Sequence, residues 1–423
     1  RNDRRSYWPT NGSNWLLPLT PAGKANYVGR TCQLRGRMAT VNEATVSVRR
    51  NTAAPTRPVI IIGAGIQGCA TAFFLSQRGQ SVIVLDKDHV GRHASGVNAG
   101  GVRRLGRDIN EIPLSLVAMD WWHQIDQLLD IEDGFHQQFY VKVALDDAGA
   151  NLAGSRIQQL EKAGFKHEKW VEPEQLHRRI PHLTKSIIGG VLVEGDGWAL
   201  PWRITRAFYE QAVKLGAEFR TPVSVQSLDY VGDHWQVTTN AGKLEADNVV
   251  NCAGAWGAQI AKMVGDDMPV EAHAPMLVIT DRQPLFLDAV IGVMGGTLSL
   301  KQLDNGSMVI GGGMRGVADP DQNKTQLTPV GLSKFVMTAG RVFSHLRDVS
   351  ILRAWAGIEG YTADNLPFIG RGSQPGIIHG FGFSAHGFQL GPGVGEVLAD
   401  LVMARQPRVD ISPFAPHRFS KLS

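Results

Sequence analysis

Gly63, Gly65 and Gly68, followed by Asp86, are the residues whose types and spacing point most directly to chemistry. In G-x-G-x-x-G the first glycine permits a tight turn, the second lets backbone reach a pyrophosphate, and the third lets a helix pack on the preceding strand. Asp86 stands 86 − 65 = 21 residues beyond the second glycine, where a strand-end carboxylate accepts hydrogen bonds from a ribose. That carboxylate disfavours a 2′-phosphate, so NAD or FAD is expected over NADP. Ile66, behind the second glycine, and Lys87, after the carboxylate, are grouped with them as cofactor contacts.

A glycine turn alone is weak evidence in a chain with 48 glycines, so the elements around it decide its meaning. Residues 58–62, Pro-Val-Ile-Ile-Ile, read as a short buried parallel strand, because β-branched residues run without alternation up to Gly63. Cys69 to Arg78 continues as a helix ended by Gly79, and Ser81 to Leu85 is a second buried strand closed by Asp86. The helix N-terminus then presents roughly half a positive charge to the phosphates.

More distant segments distinguish between the two dinucleotides. The loop at 91–104, Gly-Arg-His-Ala-Ser-Gly-Val-Asn-Ala-Gly-Gly-Val-Arg-Arg, resembles the second phosphate and flavin loop of the D-amino-acid oxidase superfamily, in its glycine and sarcosine oxidase branch. Its Ser95, Asn98, Ala99, Gly100 and Gly101 carry that likeness. Ala253-Gly254-Ala255-Trp256, after a strand predicted over 244–252, is similar to the family's A-G-A-W turn. Val223, read on a short strand after a helix over 203–215, matches the family's adenine-side valine. The segments 355–370 (W-A-G…D-x-x-P-x-x-G) and 380–395, with Ser384, His386, Gly387, Phe388 and Gln389, resemble the family's remaining cofactor motifs.

The resemblance implies an α/β fold with a Rossmann-type, glutathione-reductase-like FAD-binding domain. That domain must be discontinuous, since its motifs lie at both ends of the chain, with an antiparallel-sheet α+β substrate domain inserted. The expected pieces are 58–142, 200–262 and 351–423 for FAD, and 143–199 and 263–350 for substrate. Within the latter, 276–280, 298–303 and 307–310 read as strands, with a hairpin turn at Asp304-Asn305-Gly306. FAD is expected to be non-covalent: Gly357 occupies the approximate place of the family's flavin-linking cysteine, and Asn98 that of a flavin-linking histidine in the dimethylglycine dehydrogenase group.

His386 matches an active-site histidine of the monomeric sarcosine oxidases and is expected beside the flavin, whereas His93 is expected to face solvent. Departures from the family concern substrate. Glu359 stands where glycine oxidases hold a carboxylate-clamping arginine, and Gln389 where sarcosine oxidases hold a lysine. Arg103 or Arg104 is left either to replace these anchors or to form surface ion pairs. Glu359 either sits near a cationic amine or pairs with an arginine such as Arg353, and Tyr361 is either a pocket wall or packing.

The resemblance implies oxidation of a CH–NH bond in a small secondary amine or amino acid, with the imine then hydrolysed. The Val-Asn-Ala-Gly-Gly-Val-Arg loop and the Gly-Ile-Glu-Gly segment look most like the β-subunits of opine oxidases and D-hydroxyproline dehydrogenases, which implies partner subunits for electron transfer. A 2-hydroxy-acid dehydrogenase and a non-catalytic FAD-containing subunit are the alternatives.

Bulk properties exclude other classes. Hydrophobic residues make up 43% and charged residues 19%, which supports a sizeable core and argues against disorder. A charge of +4 without any basic block offers no nucleic-acid track. The longest apolar run, 59–75, is broken by glycines and Gln67 and is short for a bilayer, so no membrane span is predicted. Cys32, Cys69 and Cys252 match no metal site or disulfide framework, which fits a reducing, cytoplasmic compartment. Residues 1–57 are arginine-rich and aperiodic; they read as an extension, a targeting peptide or a non-native, unstructured leader.

Overall fold

The computed structural model describes residues 57–419, so the expectations for the arginine-rich leader lie outside the described residues, apart from Arg57. β1 (Val59–Ile62) is buried along its whole length, as its unbroken β-branched run requires. Helix α1 (Ile66–Gln77) follows the glycine turn directly, and β2 (Val82–Leu85) returns parallel to β1 with Ile61 opposite Val84.

The strands 368–371, 377–381, 248–251, β1, β2 and 218–220 lie side by side in that order. All pairs are parallel except that between 368–371 and 377–381. Chain order reverses beside β1, which opens a crevice at the carboxyl ends of the strands. Alternation within β1 serves two cores. Val59 and Ile61 join the apolar cluster under α1, helix Pro201–Lys214 and helix Gly387–Val402. Ile60 and Ile62 instead meet Leu228, Trp235 and Val237 from a three-stranded antiparallel sheet over 225–246.

A second, twelve-stranded sheet is mostly antiparallel. Its spine is the strand Glu271–Arg282, which pairs with 307–311 and 351–356 over one half and with 315–319 and 359–361 over the other. The hairpin at 304–306 forms between strands 299–302 and 307–311, with Gly306 at φ +90°. One face packs Val141, Val278, Leu300 and Ile310 against Phe335 and Ala339 of helix Pro329–Val342. The other carries Tyr140, Val193, Val290 and Trp198.

Three expectations need correction. Strand His136–Ala144 crosses the boundary drawn at 142, and strands Ile351–Ala356 and Glu359–Tyr361 belong to the large sheet, not to the cofactor piece. The strand over 244–252 is two strands, 242–246 and 248–251, in different sheets. Val223 lies in the connection between strands 218–220 and 225–231, its N–H donating to the Asp86 carbonyl at 2.7 Å. No helix among the described residues is long and apolar enough to cross a membrane.

Candidate active site

A cavity of about 420 Å³ opens at the carboxyl end of the small sheet. Gly63, at φ +108°, places its Cα where a Cβ would lie 2.4 Å from the Cys252 carbonyl oxygen; a Cβ on Gly68 would lie 1.9 Å from the Gly63 oxygen. Only glycine permits either approach. Gly65 caps α1 without a side chain, and no acidic residue occupies the first turn, so the positive helix end faces the cavity uncompensated. Asp86 accepts the Ala64 and Asp88 N–H groups at 2.6 and 2.8 Å, which fixes its carboxylate at the strand end. This cradle fits the ADP half of a dinucleotide.

Of the cofactor candidates, Gly63, Gly65, Ile66, Asp86, Lys87, Ser95, Asn98, Val223, Ala253, Gly254, Trp256, Ser384, Gly387 and Phe388 line this cavity, although they come from four stretches of chain. Gly68 lies one turn behind. Ser95 ties the flavin loop to the helix start, its Oγ accepting the Ile66 N–H at 2.9 Å. Asn98 accepts the Gly100 N–H at 2.7 Å, which turns the backbone through Ala99 so that Gly100, at φ +70°, abuts the Ala199 carbonyl and Gly101 pairs with Trp198. Opposite, Ser384 and Ala385 hold φ of +48° and +69°, an uncommon conformation for side-chain-bearing residues.

Lys87 and His93 form a cluster that sequence reasoning missed. The Lys87 ammonium lies 3.4 Å from the Trp256 ring centroid and donates to Asn323 Oδ1 at 2.8 Å. Asn323 donates to Asp88 at 2.7 Å, and His93 meets the same Asp88 oxygen at 3.0 Å. His93 therefore does not face solvent; it packs on Trp256 and lines the cavity.

His386 begins the helix Gly387–Val402, and its Nδ1 lies 2.7 Å from Glu111 Oε2. Burial, helped by the Arg107 guanidinium, holds its imidazole down at about 4, against the pull of Glu111. Burial alone would raise the Glu111 carboxyl, but His386 and Arg107 outweigh it and leave the group below its ordinary value. The dyad is therefore carboxylate and neutral imidazole at neutral pH. With the Nδ1 proton donated to Glu111, Nε2 keeps its lone pair.

Gln389 does not reach the cavity. Its side chain is buried between helices, accepting from Arg107 Nη2 at 2.9 Å and Ser115 Oγ at 3.1 Å. It holds Arg107, whose Nε donates to the Arg103 carbonyl and whose Nη1 stands 3.8 Å from Glu111. Arg104 is also not a free anchor: its Nε donates to buried Asp196 at 2.8 Å and its Nη2 to the Glu194 carbonyl. Arg103 donates to the Leu105 carbonyl and lies near the Tyr140 ring.

Glu359 makes no pair with Arg353, which faces across the sheet to Ile279 in strand register. Burial drives its carboxyl up to about 7, against the hydrogen bond from Tyr361 and the field of Arg315. Tyr361 Oη donates to Glu359 at 3.4 Å, and its ring packs against His273 and under Arg315. Glu359 lines the cavity and Tyr361 stands behind it.

Arg107, Glu111, Asn323 and Lys301 were absent from the sequence reading. Arg107 and Glu111 carry an i,i+4 spacing, but nothing in sequence separates that pair from a surface one. Lys301 left no signal beyond its place inside the strand predicted over 298–303.

A model of the FAD dependent oxidoreductase family matches residues 58–401. The bifunctional protein ThiO/ThiG of Trichormus variabilis is 24% identical over 375 residues, covering 86% of this chain and 56% of its own length. The chain thus spans about half the length of that relative. An opine oxidase subunit of Rhizobium meliloti is 23% identical over 382 residues, covering 85% of this chain and 96% of that protein. Among solved structures, glycine oxidase from Geobacillus kaustophilus superposes with a TM-score of 0.80 at 22% identity, over 86% of this chain and 99% of that one. The glycine cradle, the loops that converge on it and the match across 58–401 together place the chain in the FAD-dependent oxidoreductase family.

Proposed function

We propose that this enzyme oxidises the CH–NH bond of a small secondary amine or amino acid. Bound FAD supplies the two-electron acceptor. Substrate must arrive as the free amine, because a protonated nitrogen has no lone pair to assist hydride departure. An ammonium with pKa about 10 must lose about 3 units, or ~4 kcal/mol, at neutral pH. The neutral His386, fixed in one tautomer by Glu111, is the observation that carries this reading: at about 4 it is too weak a base to take the proton of an ammonium, but its Nε2 lone pair can accept a hydrogen bond from the N–H of the free amine. Glu359, close to half-protonated at neutral pH, can donate as well as accept a hydrogen bond at the cavity wall. Loss of hydride from carbon leaves an iminium, and water then gives a carbonyl compound and the released amine.

In this reading FAD makes no covalent bond to a cysteine among the described residues. Cys69 and Cys252 lie buried beneath the glycine turn with their thiols pushed up, so neither offers a thiolate. Likeness to the Rhizobium meliloti opine oxidase subunit supports an opine-type substrate and a partner subunit. His386 would equally serve a hydroxyl, which keeps 2-hydroxy-acid oxidation as a second reading. Anaerobic mixing of the FAD-loaded protein with secondary amines, imino acids and hydroxy acids separates them. Bleaching of the flavin by amines supports the proposal, and bleaching by hydroxy acids alone contradicts it. Slow recovery of colour in air supports a dehydrogenase with a protein acceptor.

A further inference from the structure

Lys301 sits on strand Ser299–Gln302, where Leu300 points into the apolar core under helix Pro329–Val342. Lys301 and Ser299 take the other face, toward Tyr140 and Trp198; Ser299 Oγ meets Tyr140 Oη at 3.1 Å. Only 4% of Lys301 is exposed. Its ammonium lies 4.3 Å from the Trp198 ring centroid, and a Cβ on Gly100 would come within 2.9 Å of it. The lysine therefore ends against the Asn98–Gly101 loop.

No carboxylate or carbonyl among the described residues accepts a hydrogen bond or ion pair from that ammonium. A buried cation is costly unless an anion meets it, and one aromatic face is weak compensation. Burial accordingly brings the group down to about 7. The guanidinium of Arg104 is meanwhile committed to Asp196, and Arg103 to a backbone carbonyl. Glu359 and Gln389 offer no cation at all.

We propose that Lys301 is the carboxylate anchor of this enzyme: its ammonium, held between the Trp198 ring and the Gly100 turn, receives the carboxylate of an amino-acid substrate. The assignment rests on the amine-oxidation reading above and sharpens it to substrates bearing a carboxylate.

The test is an equilibrium titration of the FAD-loaded protein with acetate and with its uncharged counterpart acetamide, followed by the flavin absorption spectrum. Wild-type protein is expected to show a saturable change with acetate and none with acetamide. Lys301→Met should weaken acetate at least about 10-fold, the cost of losing one charge-assisted hydrogen bond, while Lys301→Arg retains part of the response. Because Lys301→Met removes an unpaired buried charge, it should melt no lower than wild type and keep its full FAD content. A purely structural lysine would instead lower the melting temperature in both variants and leave acetate affinity unchanged, which overturns the assignment. No turnover is involved, so acetate binding can fail while amines still bleach the flavin, or succeed when they do not.

Discussion

At the scale of single residues, the site depends on a chain of buried contacts in which each group fixes the next. Gln389 holds Arg107, Arg107 faces Glu111, and Glu111 fixes the Nδ1 proton of His386. Glu111 is thus a positioning residue. Glu111→Gln should lower kcat on the order of 100-fold with little change in KM, since it frees the imidazole to take the wrong tautomer; Glu111→Asp should recover part of the rate. Steady-state kinetics of the two variants checks this, and a KM effect without a kcat effect would contradict it. Glu359 makes a separate prediction through pH. Its carboxyl is near 7 in the folded chain and near 4.5 in the unfolded one, so its stabilising contribution is complete below about 4.5 and is lost as pH rises through 7. Melting temperatures of Glu359→Gln and wild type should therefore diverge across that window, with the variant gaining relative stability toward higher pH.

At the scale of elements, the glycine turn acts as a unit. A methyl group on Gly68 collides with the Gly63 carbonyl at 1.9 Å, so Gly68→Ala should fold with its β1-α1-β2 turn displaced and lose most of its FAD, measured as flavin per chain after purification. This unit was legible in sequence because its local contacts, Gly68 on the Gly63 carbonyl and the Ala64 N–H on Asp86, span at most 22 residues and are made by backbone or by a strand-end carboxylate; the Cys252 carbonyl that closes on Gly63 left no such trace. Gln389 shows where that legibility ends. Its motif was recognised correctly, but which face of helix Gly387–Val402 it occupies depends on helix Ile112–Trp122, whose Ser115 and Trp122 bond to it and its carbonyl. Arg104 fails for a related reason: its partner Asp196 lies 92 residues away in strand Gly189–Trp198, and no local pattern couples the two. His93 appeared exposed because the ring that covers it, Trp256, belongs to a motif assigned solely to the cofactor.

At the scale of the whole molecule, the two sheets meet around the cofactor cradle. The connection between strands 315–319 and 324–326 of the large sheet carries Asn323 over to Lys87 and Asp88 of the small one, and Pro320 from the same connection accepts the Trp256 indole N–H at 3.0 Å. Asn323→Ala removes two side-chain hydrogen bonds at the cavity rim, together worth about 2 kcal/mol, and should speed FAD release roughly 10-fold. Recovery of free-flavin fluorescence after dilution measures that rate. Strands 351–356 and 359–361 pass Glu359 from the large sheet to the cavity, which is why boundaries drawn from motif order alone fell in the wrong places. The Glu111–His386 pair joins residues 275 positions apart, which only the complete fold brings together. The measurement that tests the central claim most directly is anaerobic single-turnover reduction of the FAD-loaded protein by a secondary amino acid, with hydrogen or deuterium on the carbon next to nitrogen. The account predicts loss of flavin colour, slowed by deuterium, with one carbonyl product per flavin; unchanged colour, or reduction by hydroxy acids alone, would contradict it.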